Sequence, residues 1–501
     1  MNLSERLRSN AQHYPNSLSY DYLGEQVTYQ ELDDRVNRFT YQLAAKGIGK
    51  GDVVALLLGN NPYFVTAYYG VIRAGAIVVP INPTFTSREL SYILTTSKCK
   101  LIIAHSALQP VLNGLRSQLA ELQSIIYAEP VENELNMELL MEEVDEQLSL
   151  PELDEEDVAV ILFTSGTTGN PKGAMLTHRN LYSNAVACCE LFEMTRDDRI
   201  IAVLPLFHVF CMTVCMNAPI ICGSSMVIMP KFSPVDVVNT IRDTRATLFA
   251  GVPTMYNYIM QLPNVSAADF SSLRLAVSGG APIPVSLLEN FSERFQVQIQ
   301  EGYGLSEASP VTAFNPIRGK RKPGSVGLNI PSVMNMVVDS EGLEVPRGEI
   351  GELIVKGPNV MKGYLGMPEE TSLTIKDDWL YTGDLATMDE EGYIYIVDRK
   401  KDLILVGGYN VYPREVEEVL YQHPAIIEAA VIGVPDEQLG EAVKAYIVRK
   451  DAALMDEEIR AFLQDKLVKY KIPKYIEYIA ELPKNSSGKI LRKSLRETTV
   501  V

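Results

Sequence analysis

The stretch ILFTSGTTGNPKG, Ile161 to Gly173, decides how the rest of the chain is read. Ile161, Leu162 and Phe163 have the character of the end of a buried strand, and they run straight into three threonines, three glycines, a serine and one lysine. A loop of this make-up offers open backbone N–H groups and hydroxyls to phosphate oxygens, with Lys172 as a point charge. A Walker A loop is excluded, because that pattern needs Gly-Lys-Ser/Thr, whereas Lys172 stands between Pro171 and Gly173. Composition alone also allows a surface turn between the strand and a following helix.

Outward from this loop, 501 residues are too many for one hydrophobic core and imply two or more domains. Hydrophobic residues at 47% and charged residues at 22% fit an ordinary globular chain. A formal charge of −18 argues against nucleic acid or an anionic membrane as the main partner, since both require a basic surface. Any phosphate site is then locally basic against an acidic background. The six cysteines, Cys99, Cys188, Cys189, Cys211, Cys215 and Cys222, show no paired CxxC spacing, so reduced core thiols in the cytoplasm are expected rather than zinc or disulfides. The first fifteen residues read as a short amphipathic helix with no apolar signal region. The apolar region from Ile200 to Met229 is interrupted by Pro205, His208, Asn217, Pro219 and Gly223, which points to a buried helix beside a pocket and not to a bilayer span.

Helical and strand patterns alternate through the chain. Thr28 with Glu31 and Thr86 with Glu89 are spaced as capping boxes. The helices they open precede apolar runs at Val53 to Leu58 and Leu101 to Ala104, and such alternation implies parallel βαβ units. Glu129 to Asp157 is acidic and Leu-rich and reads as a link. Further strands are predicted at Ile200 to Leu204, Thr247 to Ala250, Leu273 to Ser278 and Gln298 to Glu301. Ligands of open α/β sheets sit at carboxyl strand ends, which makes Gly279-Gly280-Ala281 and the run after Glu301 candidate walls of a site. From Gly324 short strands with glycine turns suggest a β-rich subdomain. The charge cluster Asp398 to Asp402 precedes a new α+β pattern, placing a boundary between residues 1–398 and 399–501.

Several motifs, in order, resemble those of the adenylate-forming superfamily of acyl-CoA synthetases, luciferases and adenylation domains. TSGTTGNPKG resembles its phosphate signature, with Thr164, Ser165, Gly166, Thr167, Thr168, Gly169 and Lys172. Glu301-Gly302-Tyr303-Gly304-Leu305-Ser306-Glu307 looks like the adenine motif, with Ser306 where many members carry Thr. Asp384 in Tyr381-Thr382-Gly383-Asp384, and Asp398-Arg399, match ribose-binding segments. Pro483 to Lys489 matches the segment of the catalytic lysine. The resemblance covers nearly the whole chain. It implies an α/β fold with a large N-terminal domain of βα-built sheets, a small β-rich subdomain and a mobile α+β C-terminal domain.

The resemblance also assigns roles. Lys489 would stabilise charge at the α-phosphate, and Glu307 with the Thr164 hydroxyl would hold Mg2+, a hard cation suited to oxygen ligands. Tyr303 would stack on a purine beside Gly279, Gly280 and Ala281, and Asp384 would accept from the ribose hydroxyls. Ile396, Arg399, Lys401, Gly407, Gly408 and Tyr409 would complete the nucleotide and coenzyme A sites. His208 would stand beside the substrate carboxylate, with Val209, Phe210, Gly251, Val252 and Pro253 along the acyl tail. No basic residue in these segments could pair a second carboxylate, which favours a monocarboxylic acid. The implied activity is fatty acid–CoA ligation with ATP, Mg2+ and coenzyme A, in two steps through an acyl-adenylate. The alternative is an aryl-CoA ligase or a stand-alone adenylation enzyme loading a carrier protein. A non-catalytic nucleotide-binding protein is disfavoured, since Lys489 and Glu307 are both present. Some long-chain members carry a tryptophan after the motif histidine; Val209-Phe210 stand there, leaving chain length open. The chain is expected in the cytoplasm, without nucleic acid, with at most peripheral membrane contact and with a homodimer left open. The family's C-terminal domain turns about a residue matching Lys401.

Overall fold

Local signals start the helices where the sequence places them. The Thr28 and Thr86 side chains each accept from the backbone of the glutamate three residues on, and Glu31 and Glu89 return the bond to the cap. Asn61 caps the helix Pro62–Arg73, whose first position is proline. These helices separate the strands Val53–Leu57, Ile77–Pro80 and Leu101–Ala104, which pair in parallel. They read as continuous aliphatic runs because both faces of a parallel sheet are covered.

The computed structural model describes residues 2–142, 150–164, 170–486 and 488–497. Among these residues the strands form sheets of nine, eight, five and five members. In the eight-stranded sheet Val158–Thr164 lies beside Ile77–Pro80 and pairs antiparallel with Lys172–Thr177. The glycine-rich loop therefore joins two arms of a hairpin, and no helix begins directly at its end. Ser165, Gly166, Thr167, Thr168 and Gly169 lie outside the described residues.

The nine-stranded sheet sets Arg199–Ala202, Leu248–Gly251, Leu275–Ser278 and Ile299–Gly304 side by side. Gly251 stands opposite Ser278, and Ser278 opposite Glu301, so carboxyl ends far apart in sequence share one rim. The apolar region after Ala202 is helical from Val209 to Cys222, with a buried π-helical middle at Met212–Asn217. Among the described residues no helix is long and apolar enough to cross a membrane.

Two expectations change. The stretch read as a link forms a short strand, Leu135–Asn136, and a helix, Met137–Glu142, that buries Met137 and Leu140; its acidic composition hid these two apolar anchors. Residues 143–149 of it lie outside the description. The cysteines are not all reduced: Cys189 and Cys222 form a disulfide, with Cα atoms 6.4 Å apart, while the other four are free and buried. The helices His178–Leu191 and Ala218–Cys222 meet only in the folded chain, so spacing gave no hint of the pair.

The β-rich part is a sheet of Met334–Val338, Gly351–Lys356, Trp379–Met388 and Ile394–Arg399, with Ile375–Lys376 on its edge. The C-terminal unit is built on the long hairpin Ile426–Asp436 and Gly440–Arg449, packed on the helix Pro413–Tyr421. It has its own core, including Ile404, Val416, Leu420, Val431, Ile447 and Leu463.

One buried ion pair ties three N-terminal helices. Arg73 binds Asp33 at 2.6 Å, Ser4 at 2.7 Å and Asn37 at 2.6 Å. Removing one partner strands the other charge in the core. Arg73→Ala is therefore expected to lower the urea midpoint by the equivalent of about 3–5 kcal/mol, while the apolar pair Asp33→Leu with Arg73→Met recovers most of it.

Candidate active site

The site assembles along the shared rim and beneath the C-terminal unit. Gly279 donates its N–H to the Gly251 carbonyl at 3.3 Å, and a Cβ on Gly279 would stand 3.2 Å from the Phe210 ring. The expected purine wall and the expected acyl segment thus touch each other. Gly302 and Gly304 are equally committed: a Cβ would come within 2.8 Å of Phe314 or 2.2 Å of the Pro310 carbonyl. Backbone alone fits at these points. Gly280 has φ +79°, and its Cβ direction faces Val252. At Gly251 a Cβ would meet the Phe249 and Tyr256 rings at 3.2 Å. What it offers the rim is backbone, because the space a side chain would take is already filled by core aromatics.

His208 stands at the start of the buried helix, with Val209 as its first residue. Its Nδ1 accepts from the Phe210 N–H at 3.3 Å, which leaves Nε2 as the proton-bearing nitrogen. Burial, reinforced by the positive charge of Lys489, pushes His208 down to about 4, so it is neutral near pH 7. A neutral N–H donor suits a carboxylate oxygen.

Across the rim, Tyr303 donates its phenol to Asp384 Oδ2 at 2.5 Å, and Asp384 Oδ1 faces Arg399 Nε at 3.3 Å. Gly383, at φ +73° within the strand Trp379–Met388, precedes Asp384, whose N–H donates to the Thr382 hydroxyl at 3.1 Å. Ile396 lies on the neighbouring strand, and its carbonyl accepts from Arg414 at 2.5 Å. Ala281 and Ser306 are half-buried at the same edge. Glu301, placed by the sequence among nucleotide contacts, is instead buried behind them. One oxygen accepts from the Ile283 N–H at 3.4 Å and the other has no hydrogen-bond partner. Burial raises its carboxyl to about 7 even with Arg414 nearby. It braces the loop that carries Gly279 to Ala281.

Lys489 sits on a tight hairpin, with Gly488 at φ +82° and reciprocal bonds between Asn485 and Lys489 at 2.9 Å. Among the described residues its Nζ makes no hydrogen bond or ion pair. Burial and the Arg399 guanidinium lower its pKa to about 8, against the opposing pull of Asp384. The charges of Lys489, Arg399 and Asp384 are thus brought together with His208, from segments that the sequence separates widely.

Lys172 departs from its expected freedom. It is 9% exposed and ion-paired with Glu370, its ammonium 5.4 Å from the Tyr364 ring centroid. The Tyr364 phenol donates to Glu307 Oε1 at 2.9 Å. Glu370 and Tyr364 carried no sequence signal that would have singled them out. Among the described residues no group of three or more His, Cys, Asp or Glu could hold a metal unaided. Glu307 nonetheless keeps one oxygen that no described residue engages, and Mg2+ commonly binds one carboxylate together with substrate phosphates, so the residues fit that ion. Gly407, Gly408 and Tyr409 stand apart from this cluster. Tyr409 is 60% exposed and stacks on Tyr470 at 4.8 Å, and Lys401 is exposed in the 3-10 turn Lys400–Asp402.

Comparisons agree with this arrangement. The family model described as AMP-binding enzyme matches residues 7–365, and that of the AMP-binding enzyme C-terminal domain matches 415–489. The chain is 40% identical to a long-chain-fatty-acid–CoA ligase of Bacillus subtilis (strain 168), over 99% of this chain and 94% of that one. It is 38% identical to a feruloyl-CoA synthase of an Amycolatopsis species, over 96% of both chains. The crystal structure of ATP-bound MatB from Rhodopseudomonas palustris superposes with a TM-score of 0.92 at 34% identity, covering 99% of both chains. The two family models together span most of the sequence, and this chain belongs to the family of AMP-binding enzymes.

Proposed function

We infer that this chain is an AMP-forming fatty acid–CoA ligase. The observation that carries the reading is Lys489, whose ammonium has no hydrogen-bond or ion-pair partner among the described residues, on a hairpin seated against Val252 and within electrostatic reach of His208 and of the Asp384–Arg399 pair. A carboxylate is a poor electrophile. Its oxygen attacks the α-phosphorus of ATP, and pyrophosphate leaves with the P–O electron pair. The thiol sulfur of coenzyme A then attacks the acyl carbon, its proton passes to solvent, and AMP leaves with the C–O pair.

The proposed roles follow from the geometry. Lys489 neutralises charge between carboxylate and α-phosphate, and His208 Nε2–H orients the carboxylate. Asp384 takes the ribose hydroxyls, with Tyr303 and Arg399 holding its oxygens in place. Glu307 would hold Mg2+, which supplies charge neutralisation on the phosphates when bound. Phe210 and Val252 flank the acyl group; Lys172 anchors the end of the phosphate loop through Glu370. The boundary at residue 398 and the turning of residues 399–501 about Lys401 belong to the same proposal. Support comes from the short linker, where Lys400 meets Glu352 at 3.2 Å and Asp402 meets Arg496 at 2.8 Å, and from the exposure of Gly407, Gly408 and Tyr409, which are free to line a thiol channel once turned. A cytoplasmic location fits enzymes that draw on ATP and coenzyme A. Thioester formation with palmitate, octanoate and benzoate, compared side by side, tests the acyl class: benzoate as the preferred acid would replace the fatty-acid reading with an aryl one.

Lys489→Ala is expected to slow pyrophosphate exchange a hundredfold or more, on the order of other lost transition-state contacts, while thioester formation from supplied acyl-adenylate persists. Exchange at the wild-type rate would remove Lys489 from the chemistry. The same lysine sets a pH limb. It works charged, and its pKa is lowered to about 8, so kcat/KM for ATP in the exchange reaction should hold below pH 8 and fall above it. His208, at about 4, contributes no limb near neutrality. Lys489→Arg should carry the fall upward, out of the measured range.

A further inference from the structure

The helix Pro253–Met260 starts at the acyl segment and runs under the C-terminal unit. Thr254, Asn257 and Tyr258 are spaced i, i+3 and i+4, so they share one face. Each meets a different part of the C-terminal unit. The Thr254 hydroxyl donates to the Gly488 carbonyl at 3.4 Å, the Asn257 amide donates to the Ile427 carbonyl at 3.3 Å, and the Tyr258 phenol oxygen accepts from Lys484 Nζ at 3.1 Å.

Lys484 and Gly488 bracket the turn of the hairpin that presents Lys489, and Lys484 closes that hairpin by a bridge to Ile490. Holding both points fixes the lysine. A Cβ on Gly488 would stand 3.0 Å from Val252, so the hairpin already lies against the start of the same helix. The strongest of the three contacts is the charged one. Lys484 also binds Glu428 at 2.8 Å, and these side chains are 12% and 5% exposed. Both belong to the C-terminal unit and travel together. When the phenol lets go, the ammonium keeps its carboxylate, so undocking strands no unpaired buried charge. The contact is firm in one orientation and cheap to release.

We propose that Thr254, Asn257 and Tyr258 form a docking face that holds Lys489 over the nucleotide for adenylation, with Tyr258 as a positioning residue acting through Lys484. The proposal rests on the reading of Lys489 and of a C-terminal unit that turns between half-reactions. It assigns these residues to the first step only, because turning breaks all three bonds.

Tyr258→Phe deletes one oxygen and keeps the ring beside Phe232. In single-turnover measurements, acyl-adenylate formation, read as pyrophosphate release, should slow about tenfold, the weight of a hydrogen bond to a charged group. Thioester formation from supplied acyl-adenylate and coenzyme A should be unchanged or faster. Asn257→Ala should act in the same direction with a smaller effect, and both variants should keep the wild-type melting temperature. Combining Tyr258→Phe with Lys484→Met should slow adenylation by less than the product of the single effects. Equal slowing of both half-reactions, an effect on the second alone, or an unaltered first step would overturn the docking face. Two controls separate this from its foundation. If Lys489→Ala exchanges pyrophosphate normally, or Lys401→Pro slows both half-reactions equally, the underlying reading falls and takes the proposal with it. If Lys489→Ala loses exchange and Lys401→Pro slows thioester formation more than adenylation, while Tyr258→Phe adenylates at the wild-type rate, the docking face alone falls.

Discussion

The ammonium of Lys489 occupies an environment that opposes its own charge. Burial and the Arg399 guanidinium both disfavour the cation, and among the described residues no hydrogen bond or ion pair compensates it. A lysine in that state is held only if the surrounding chain over-determines its position. Much of the architecture near the site supplies that constraint: a left-handed Gly488, the Asn485 bonds across the hairpin, and the helix Pro253–Met260 beneath. The unmet charge is then available to an anion. A carboxylate approaching a phosphate is where two negative groups must be brought together, and a partly desolvated cation acts there with less screening than it would meet in water.

The remaining parts of the site are arranged to be rigid before any substrate arrives. Asp384 has one oxygen on Tyr303 and the other facing Arg399, so its orientation is fixed by partners from two other strands. Lys172, Glu370, Tyr364 and Glu307 form a second chain of contacts that links the end of the phosphate loop to the carboxylate proposed for Mg2+. His208 is held by a backbone N–H that also decides which ring nitrogen carries the proton. Such preorganisation places the reorganisation energy in folding and not in the reaction.

The C-terminal unit is attached differently. Within itself it is cross-braced, with Arg492 on Glu417 and Arg496 on Asp402 fixing the last helix to the linker turn and to the helix Pro413–Tyr421. Toward the large domain its contacts include the polar ones of Lys484 with Tyr258, Lys400 with Glu352 and Arg414 with the Ile396 carbonyl, and the hydrogen bonds of Asn82 with Ser486 at 3.1 Å and Ser286 with the Tyr421 carbonyl at 3.5 Å. That internal stiffness is what the proposed turning of the unit between two half-reactions with different needs would require.

The order of motifs along the chain, the capping boxes at Thr28 and Thr86, the parallel strand runs and the residue types at Lys489, His208 and Asp384 were all legible in the sequence. These depend on neighbours within a few positions, where hydrogen-bond geometry and hydrophobic period are fixed by the local backbone. Contacts between distant segments were not legible. Tyr303 meets Asp384 across 81 positions, Lys172 meets Glu370 across 198, and Lys484 meets Tyr258 across 226. The burial of Glu301 behind the purine wall, the filled space beside Gly251 and the joining of Cys189 to Cys222 belong with them. The sequence by itself determined which chemical groups this protein carries and which local elements bear them. Only the tertiary structure decided which of those groups are paired, which are desolvated and which stay free to act, because burial and partnership are set by sheet order and domain docking, and no local pattern encodes either.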